Sequence, residues 1–105
     1  MNAAAADDVF KALAEPKRRE MLRLLRTDAM SVNEIASRFD ITQQAVSLHL
    51  KVLHGAGLVS ERRDGTRRLY LVRPEGLHSV NQFVDELWPA ALRRLKHAVE
   101  SDRDA

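Results

Sequence analysis

Between Thr42 and Lys51 the chain reads "TQQAVSLHLK", which gathers side-chain amides at Gln43 and Gln44, a hydroxyl at Ser47 and an ammonium at Lys51. With Val46 at zero on a helical wheel of about 100° per residue, Leu50 and Leu53 fall within about 40° of it and form an apolar seam. Gln43, Gln44, Ser47 and Lys51 fall between about 60° and 160°, and Leu48 lies near 200°. These are the groups that read base edges: glutamine pairs bidentately with adenine, serine donates or accepts, and leucine meets a thymine methyl. Thr42 precedes them as an N-cap that can also touch phosphate. The plainer alternative is a solvated helix face with arbitrary polar residues.

A second set of chemistry-bearing residues follows in "ERRDGTRRLYLV" (Glu61 to Val72). β-rich stretches on both sides of Asp64-Gly65 predict a hairpin. A two-residue loop sets Arg62 against Arg67; a three-residue loop sets Arg63 against Arg67 and Arg62 against Arg68. Either register opposes like charges, which destabilises a hairpin by itself. Phosphates on both sides of a nucleic-acid groove relieve that repulsion. The formal charge is only +2, but it is clustered, with four arginines against two acids over Ser60–Arg68 and five basic residues against one acid over Pro16–Arg26. Clustering of this kind suggests a polyanionic partner. His49 falls near 300° on the wheel, beside the seam, and reads as a packed, hydrogen-bonded histidine rather than a base reader. His54 lies too far along the helix to do more than touch phosphate.

The remaining elements must hold these residues in place. At 105 residues the chain is expected to form one domain over 1–105. Residues 1–6 are expected to lack structure, and a first helix covers 7–14, with Asp7 and Asp8 at its positive end. Pro16 starts a second helix that runs to about Arg26. "SVNE" from Ser31 is a capping box, and the helix it opens ends near Phe39, burying Ile35, Ala36 and Phe39. The reading helix spans 42–56, with Gly57 as its left-handed stop, and the hairpin, or wing, spans 58–72. After Pro74 an apolar stripe of Leu77, Val80, Val84, Leu87, Ala91, Leu95 and Val99 marks a long helix over 75–100, which Pro89 must kink or split. The fold class is mainly α with a small β-hairpin, a winged helix-turn-helix in the order α-α-α-α-β-β-α.

Several function classes are excluded. With no cysteine there is no disulfide, thiol catalysis or thiolate metal site, and a reducing cytoplasm is the natural setting. The N-terminus does not read as a secretory signal, and no apolar run reaches membrane-spanning length, so no membrane partner is expected. Ser47 and His49 are two residues apart on a helix and face different ways, so they form no nucleophile–base pair. No Gly-rich phosphate loop or carboxylate pair is present. The chain is expected to be neither an enzyme nor a carrier of cofactors.

With these elements in hand, the chain resembles the ArsR/SmtB family of bacterial winged-helix transcriptional repressors. The likeness spans about Val9 to Val99 and rests on "ALAEPKRREMLRLL" (Ala12 to Leu25), "SVNEIASRFDITQQAVSLHLKVLHGAGLV" (Ser31 to Val59) and the hairpin sequence above. The resemblance implies a homodimer joined through its first and last helices, bound to imperfect palindromes of double-stranded DNA until an inducer weakens binding. On this chain the interface falls to Val9, Phe10 and Leu13 with Phe83, Val84, Leu87, Trp88, Leu92, Leu95 and Val99. The stripe carries more apolar surface than a small winged helix needs for itself, which agrees with a dimer; the alternative is that the helix packs back on its own domain. A dimer sets two reading helices about one DNA turn apart.

The sensing half of the family pattern carries over poorly. Where many members place metal-binding cysteines, this chain has Ser31 and Asn33. Other members bind zinc in the last helix through Asp-x-His and His-x-x-Glu pairs; here His97 and Glu100 match the second pair, while Val84 and Glu86 replace the first. Glu86, His97 and Glu100 are the metal candidates, three ligands within one chain or across a dimer, and ordinary solvated residues are the simpler reading. An inducer, whether small molecule or protein, is left unnamed. The expected function is a sequence-specific, dimeric DNA-binding repressor using Thr42, Gln43, Gln44, Ser47, Leu48 and Lys51 with Arg62, Arg63, Arg67 and Arg68. Its rival is a winged helix that binds a protein partner and touches DNA weakly and without sequence preference.

Overall fold

The computed structural model describes the backbone of residues 3–104 and the side-chain environment of residues 6–102. The order is α1 (Ala3–Ala14), α2 (Pro16–Leu25), α3 (Val32–Ala36), α4 (Gln43–Gly55), β1 (Val59–Asp64), β2 (Arg67–Val72), a 3-10 turn at Pro74–Leu77 and α5 (His78–Asp104). α1 opens four residues earlier than the sequence reading placed it, because a run of alanines has the best helix propensity and Asp7 and Asp8 sit inside the helix rather than at its start. Of the segment expected to lack structure, Met1 and Asn2 lie outside the described residues.

Local chemistry sets the helix limits. Glu15 accepts from the Lys17 amide ahead of Pro16. At α3 the Ser31 hydroxyl accepts from Glu34 N–H at 3.2 Å and the Glu34 carboxylate accepts from Ser31 N–H at 3.2 Å, completing the capping box. α3 stops at Ala36, short of Phe39, and a turn carries Phe39 and Ile41 against the core. Thr42 Oγ1 accepts from Ala45 N–H at 3.0 Å at the start of α4. At its end Gly57 takes φ +77°, and its N–H donates to His54 O while Leu58 N–H donates to Leu53 O, a Schellman closure.

The core lies where α2, α3 and α4 converge beneath the hairpin base, with Met21, Ile35, Val46, Leu50, Leu53, Leu58 and Val59 all fully buried. Met30 pairs with Tyr70 through two backbone hydrogen bonds of 3.0 and 2.8 Å, so the α2–α3 connection lies along β2 like a fragment of a third strand. Behind the hairpin, Gly76 packs on the Gly57 turn so closely that a Cβ there would stand 2.1 Å from Gly57 O.

The hairpin register differs from both sequence alternatives. Arg63 opposes Arg68, Asp64 opposes Arg67 and Arg62 opposes Leu69. The loop is Gly65-Thr66, not Asp64-Gly65, and only Gly65 has positive φ, at +66°. Glycine at the first loop position alone is the type II′ pattern, which matches strand twist; placing the loop one residue later moves the partner of Arg62 from Arg67 to Leu69.

α5 is assigned as one unbroken helix through Pro89, so the chain does not split there. Proline at that position leaves the Asp85 carbonyl without its helical donor, a local cost that the rest of a 27-residue helix absorbs. At about 1.5 Å per residue α5 is about 40 Å long. It gives the molecule extents of 66 × 29 × 24 Å and a radius of gyration of 18.4 Å, against about 13 Å for a compact chain of about 100 residues. None of the described side chains on α5 is buried. No helix among the described residues is long and apolar enough to cross a membrane.

Candidate nucleic-acid interface

With Val46, Leu50 and Leu53 locked in the core, the rotation of α4 about its axis is fixed. Thr42, Gln43, Gln44, Ser47, Leu48 and Lys51 are therefore all exposed, with Leu48 at 65%. Gln43, Gln44, Ser47, Leu48 and Lys51 share an open groove with Val32 and Asn33 of α3, while Thr42 lies just before it as the N-cap of α4. A second groove, continuous with the first through Val32, Asn33 and Ser47, is bordered by Arg63, Thr66, Arg67, Arg68 and Tyr70 of the hairpin. One surface thus joins the amide, hydroxyl and ammonium groups of α4 to arginines of the wing.

Asn33 and Tyr70 were missed by sequence reasoning. Asn33 sits at the second position of α3, where the capping box holds it between the grooves, and Tyr70 is aimed by the Met30 pairing. Neither carries a local pattern that marks it. Val52 is also exposed, at 44%, one turn beyond Leu48 on the same flank of α4.

The wing arginines separate into distinct environments. Arg62 does not border the grooves beside α4; it lies across the hairpin with Leu25–Ala29, Leu71 and Pro74. Arg62 is paired with Leu69 and lies with Leu71 on one face of the hairpin, whereas its neighbour Arg63 points to the other, since successive residues on a strand alternate. Arg68 has a carboxylate partner, Nε to Glu61 Oε2 at 3.6 Å, and Arg67 pairs with Glu34 of α3, the residue that also completes the capping box. Internal carboxylates thus relieve part of the repulsion that the sequence reading assigned to an external anion. Among the described residues, Arg63 and Lys51 form no ion pair, and both face the grooves.

The basic run on α2 is also largely committed. Arg18 and Arg19 bond to carbonyls at the end of α1, and Lys17 lies 5.6 Å from the centre of the Phe39 ring. These cations serve the fold rather than a polyanion, because a helix C-terminus is itself a cluster of unpaired acceptors. His49 is half-buried with Nδ1 3.4 Å from Arg18 Nη1, as its place beside the seam implied.

The apolar surface lies at the other end. Phe10 of α1 meets Phe83 of α5 edge to face, with centroids 5.5 Å apart and planes at 82°. Val84, Leu87, Trp88, Leu92, Leu95 and Val99 continue the exposed stripe. Val9 does not belong to it: it is 3% exposed and packs into its own core, one residue away from the outward face that Phe10 occupies. Leu13 is half-buried against that core.

Glu86 and His97, 11 residues apart on one helix, are about 16 Å apart along its axis, so a single chain cannot close a metal site with them. Glu100 lies 3.9 Å from Lys96, and His97 borders a shallow surface with Arg93 and Arg94. A cationic surround and the missing thiolates and Asp-x-His pair do not fit a divalent ion.

Residues 13–62 match the family model described as a helix-turn-helix domain. The chain is 37% identical over 98 residues to the HTH-type transcriptional regulator Rv2034 of Mycobacterium tuberculosis, covering 93% of this chain and 92% of that one. It is 31% identical over 77 residues to the arsenical resistance operon repressor of Staphylococcus xylosus, covering 73% and 74%. Among solved structures, an ArsR-like transcriptional regulator from Rhodococcus sp. RHA1 superposes with TM-score 0.75 at 27% identity, covering 92% of each chain. The homodimeric winged helix-turn-helix DNA-binding domain of Mb0332 from Mycobacterium bovis superposes with TM-score 0.67 at 31% identity, covering 79% and 80%.

Proposed function

This chain belongs to the ArsR/SmtB family of winged helix-turn-helix transcriptional regulators, and we propose that it acts as a homodimeric, cytoplasmic repressor of a palindromic operator. The observation that carries this reading is the single exposed surface formed by the N-terminal half of α4 and the wing. Gln43, Gln44, Ser47, Leu48 and Lys51 meet base edges in the major groove, because a helix-turn-helix enters the groove with the start of its second helix. Thr42, Asn33, Arg63, Arg67 and Arg68 hold the phosphates on either side, and Tyr70 supports them. Arg62 takes at most a peripheral part.

Dimerisation uses Phe10 of α1 with Phe83, Val84, Leu87, Trp88, Leu92, Leu95 and Val99 of α5, whose exposure, with no buried side chain among the described residues of α5, calls for a second copy. Repression needs only that the bound dimer occupy DNA required by polymerase, and no step of it is catalytic. Zinc and other divalent ions are not its signal, since the residues at the family's sensing positions do not fit them. Any inducer is an organic molecule or a protein partner.

The test is fluorescence anisotropy of the protein on DNA from upstream of its own gene, against a scrambled duplex, with EDTA and with added zinc. Tight binding to the upstream DNA alone, unmoved by zinc, is the expected outcome. Equal, weak binding to both duplexes, followed by failure to select any preferred site from random DNA, would leave the protein-interaction rival in its place.

A further inference from the structure

α1 ends at Ala14, so the carbonyls of Lys11, Ala12, Leu13 and Ala14 have no acceptor role inside the helix. Side chains from the start of α2 take all of them. Arg19 donates from Nη1 to Leu13 O and Ala14 O at 2.8 and 3.2 Å. Arg18 donates from Nε to Ala12 O at 2.7 Å and from Nη2 to Lys11 O at 3.1 Å. Placing cations at the negative end of the helix dipole favours both.

Arg18 does something further. It is half-buried, and its remaining nitrogen, Nη1, stands 3.4 Å from Nδ1 of His49 in the middle of α4. Arginine has donors only, so Nδ1 accepts. One planar, rigid group therefore spans from the last turn of α1 to the reading helix. α1 carries Phe10 against Phe83 of α5, and α4 carries Ser47 and Leu48 immediately before His49.

We propose that Arg18 is a positioning residue for operator recognition: its guanidinium sets the angle between α4 and the α1–α5 dimer arm, and so the separation and orientation of the two reading helices. The inference rests on the dimeric reading above. Two linked half-sites bind together only when protein geometry matches their spacing, so a small change in this angle weakens the full operator and spares each half-site. Lysine keeps the charge but not the fork, and a leucine at position 49 removes the acceptor while leaving the α1 carbonyls bonded.

The test starts by selecting the operator from random duplexes with the wild-type protein. Anisotropy titrations then compare the full operator, a single half-site, and operators with one base pair added or removed between half-sites. The proteins are wild type, Arg18→Lys, His49→Leu and His49→Gln, which keeps an acceptor. Thermal melts and sedimentation velocity confirm fold and dimer, and His49→Leu carries the test if Arg18→Lys does not fold. Arg18→Lys and His49→Leu are expected to bind the full operator roughly five- to twentyfold more weakly, to bind the half-site within about twofold of wild type, and to lose less on a spacing change. His49→Gln is expected to stay near wild type. An equal loss on full operator and half-site, or no loss on either, overturns the proposal. If the wild type selects no paired half-sites or sediments as a monomer, the dimeric reading itself falls, and this inference with it.

Discussion

In α4 the apolar seam of Val46, Leu50 and Leu53 is 0–1% exposed, whereas on α5 the side chains of Leu87, Leu92, Leu95 and Val99 stand 44–61% exposed. Both helices are amphipathic, and both present a face to the outside. The face that α4 shows is polar, over a closed core, and is suited to bases. The face that α5 shows is apolar, met by its own chain only near Phe83, where Phe10 packs, and is suited to another protein surface. A helix finished within its own fold is free to spend its outer side on recognition, while an unfinished one signals assembly.

The largest expected effect separates these two situations on the α5 side. Leu87→Glu combined with Leu95→Glu places two charges in the proposed interface of each protomer, and uncompensated buried charges cost several kcal/mol each. The dimer is expected to weaken by on the order of 5 kcal/mol, close to four decades in Kd. Sedimentation velocity checks this directly, and the single tryptophan, Trp88, is expected to shift its emission to the red. A dimer that survives would place the interface elsewhere and leave α5 unexplained. The fold of each protomer is expected to persist, because no described side chain of α5 is buried in the core.

On the α4 side, Leu53→Ala is expected to cost about 2–5 kcal/mol of stability, as a fully buried leucine leaves a cavity in the core cluster. A thermal melt or denaturant titration reads this loss. Unlike the α5 pair, this change lowers folding stability itself. A melt unaltered by Leu53→Ala would break the comparison at its other end.

Gln44→Ala comes next. It removes an exposed amide that touches nothing in the core, so the melt is expected to stay within about 0.5 kcal/mol of wild type. Binding to the selected operator is expected to fall by about 1–3 kcal/mol, with much less loss on random DNA. Equal losses on both duplexes would make Gln44 a backbone contact rather than a reader.

Much of this architecture was legible in local sequence. The Ser31–Glu34 capping box, Thr42 before the seam, Gly57 after it and the β-rich pair around Asp64-Gly65 are short-range signals, and their elements formed there, the hairpin loop lying one residue later at Gly65-Thr66. What escaped depends on contacts between distant segments or on one-residue choices. The Met30–Tyr70 pairing and the fit of Gly76 on Gly57 join segments that share no pattern. The committed arginines of α2 read as a free basic cluster because charge clustering carries no information about partners within the fold. The candidate reading face followed from the wheel, since burial of one side dictates the other. The wing did not, because a strand reverses its faces with every residue, and nothing in the local pattern says which of the adjacent Arg62 and Arg63 faces the groove.

That choice supplies the smallest expected effect. Arg63 faces the groove beside α4 without a carboxylate partner among the described residues, while Arg62 lies on the far side near Arg26 and Pro74. Arg63→Ala is expected to weaken operator and random DNA alike and to reduce the slope of log K against log salt by about one. Arg67→Ala is expected to have a smaller effect, because releasing Arg67 to phosphate first breaks its pair with Glu34. Arg62→Ala is expected to leave the slope unchanged within about 0.3. Anisotropy at four salt concentrations distinguishes the three. If Arg62 and Arg63 proved equal, the DNA would have to wrap both faces of the hairpin, and the side of β1 on which each arginine lies would no longer explain which ones bind.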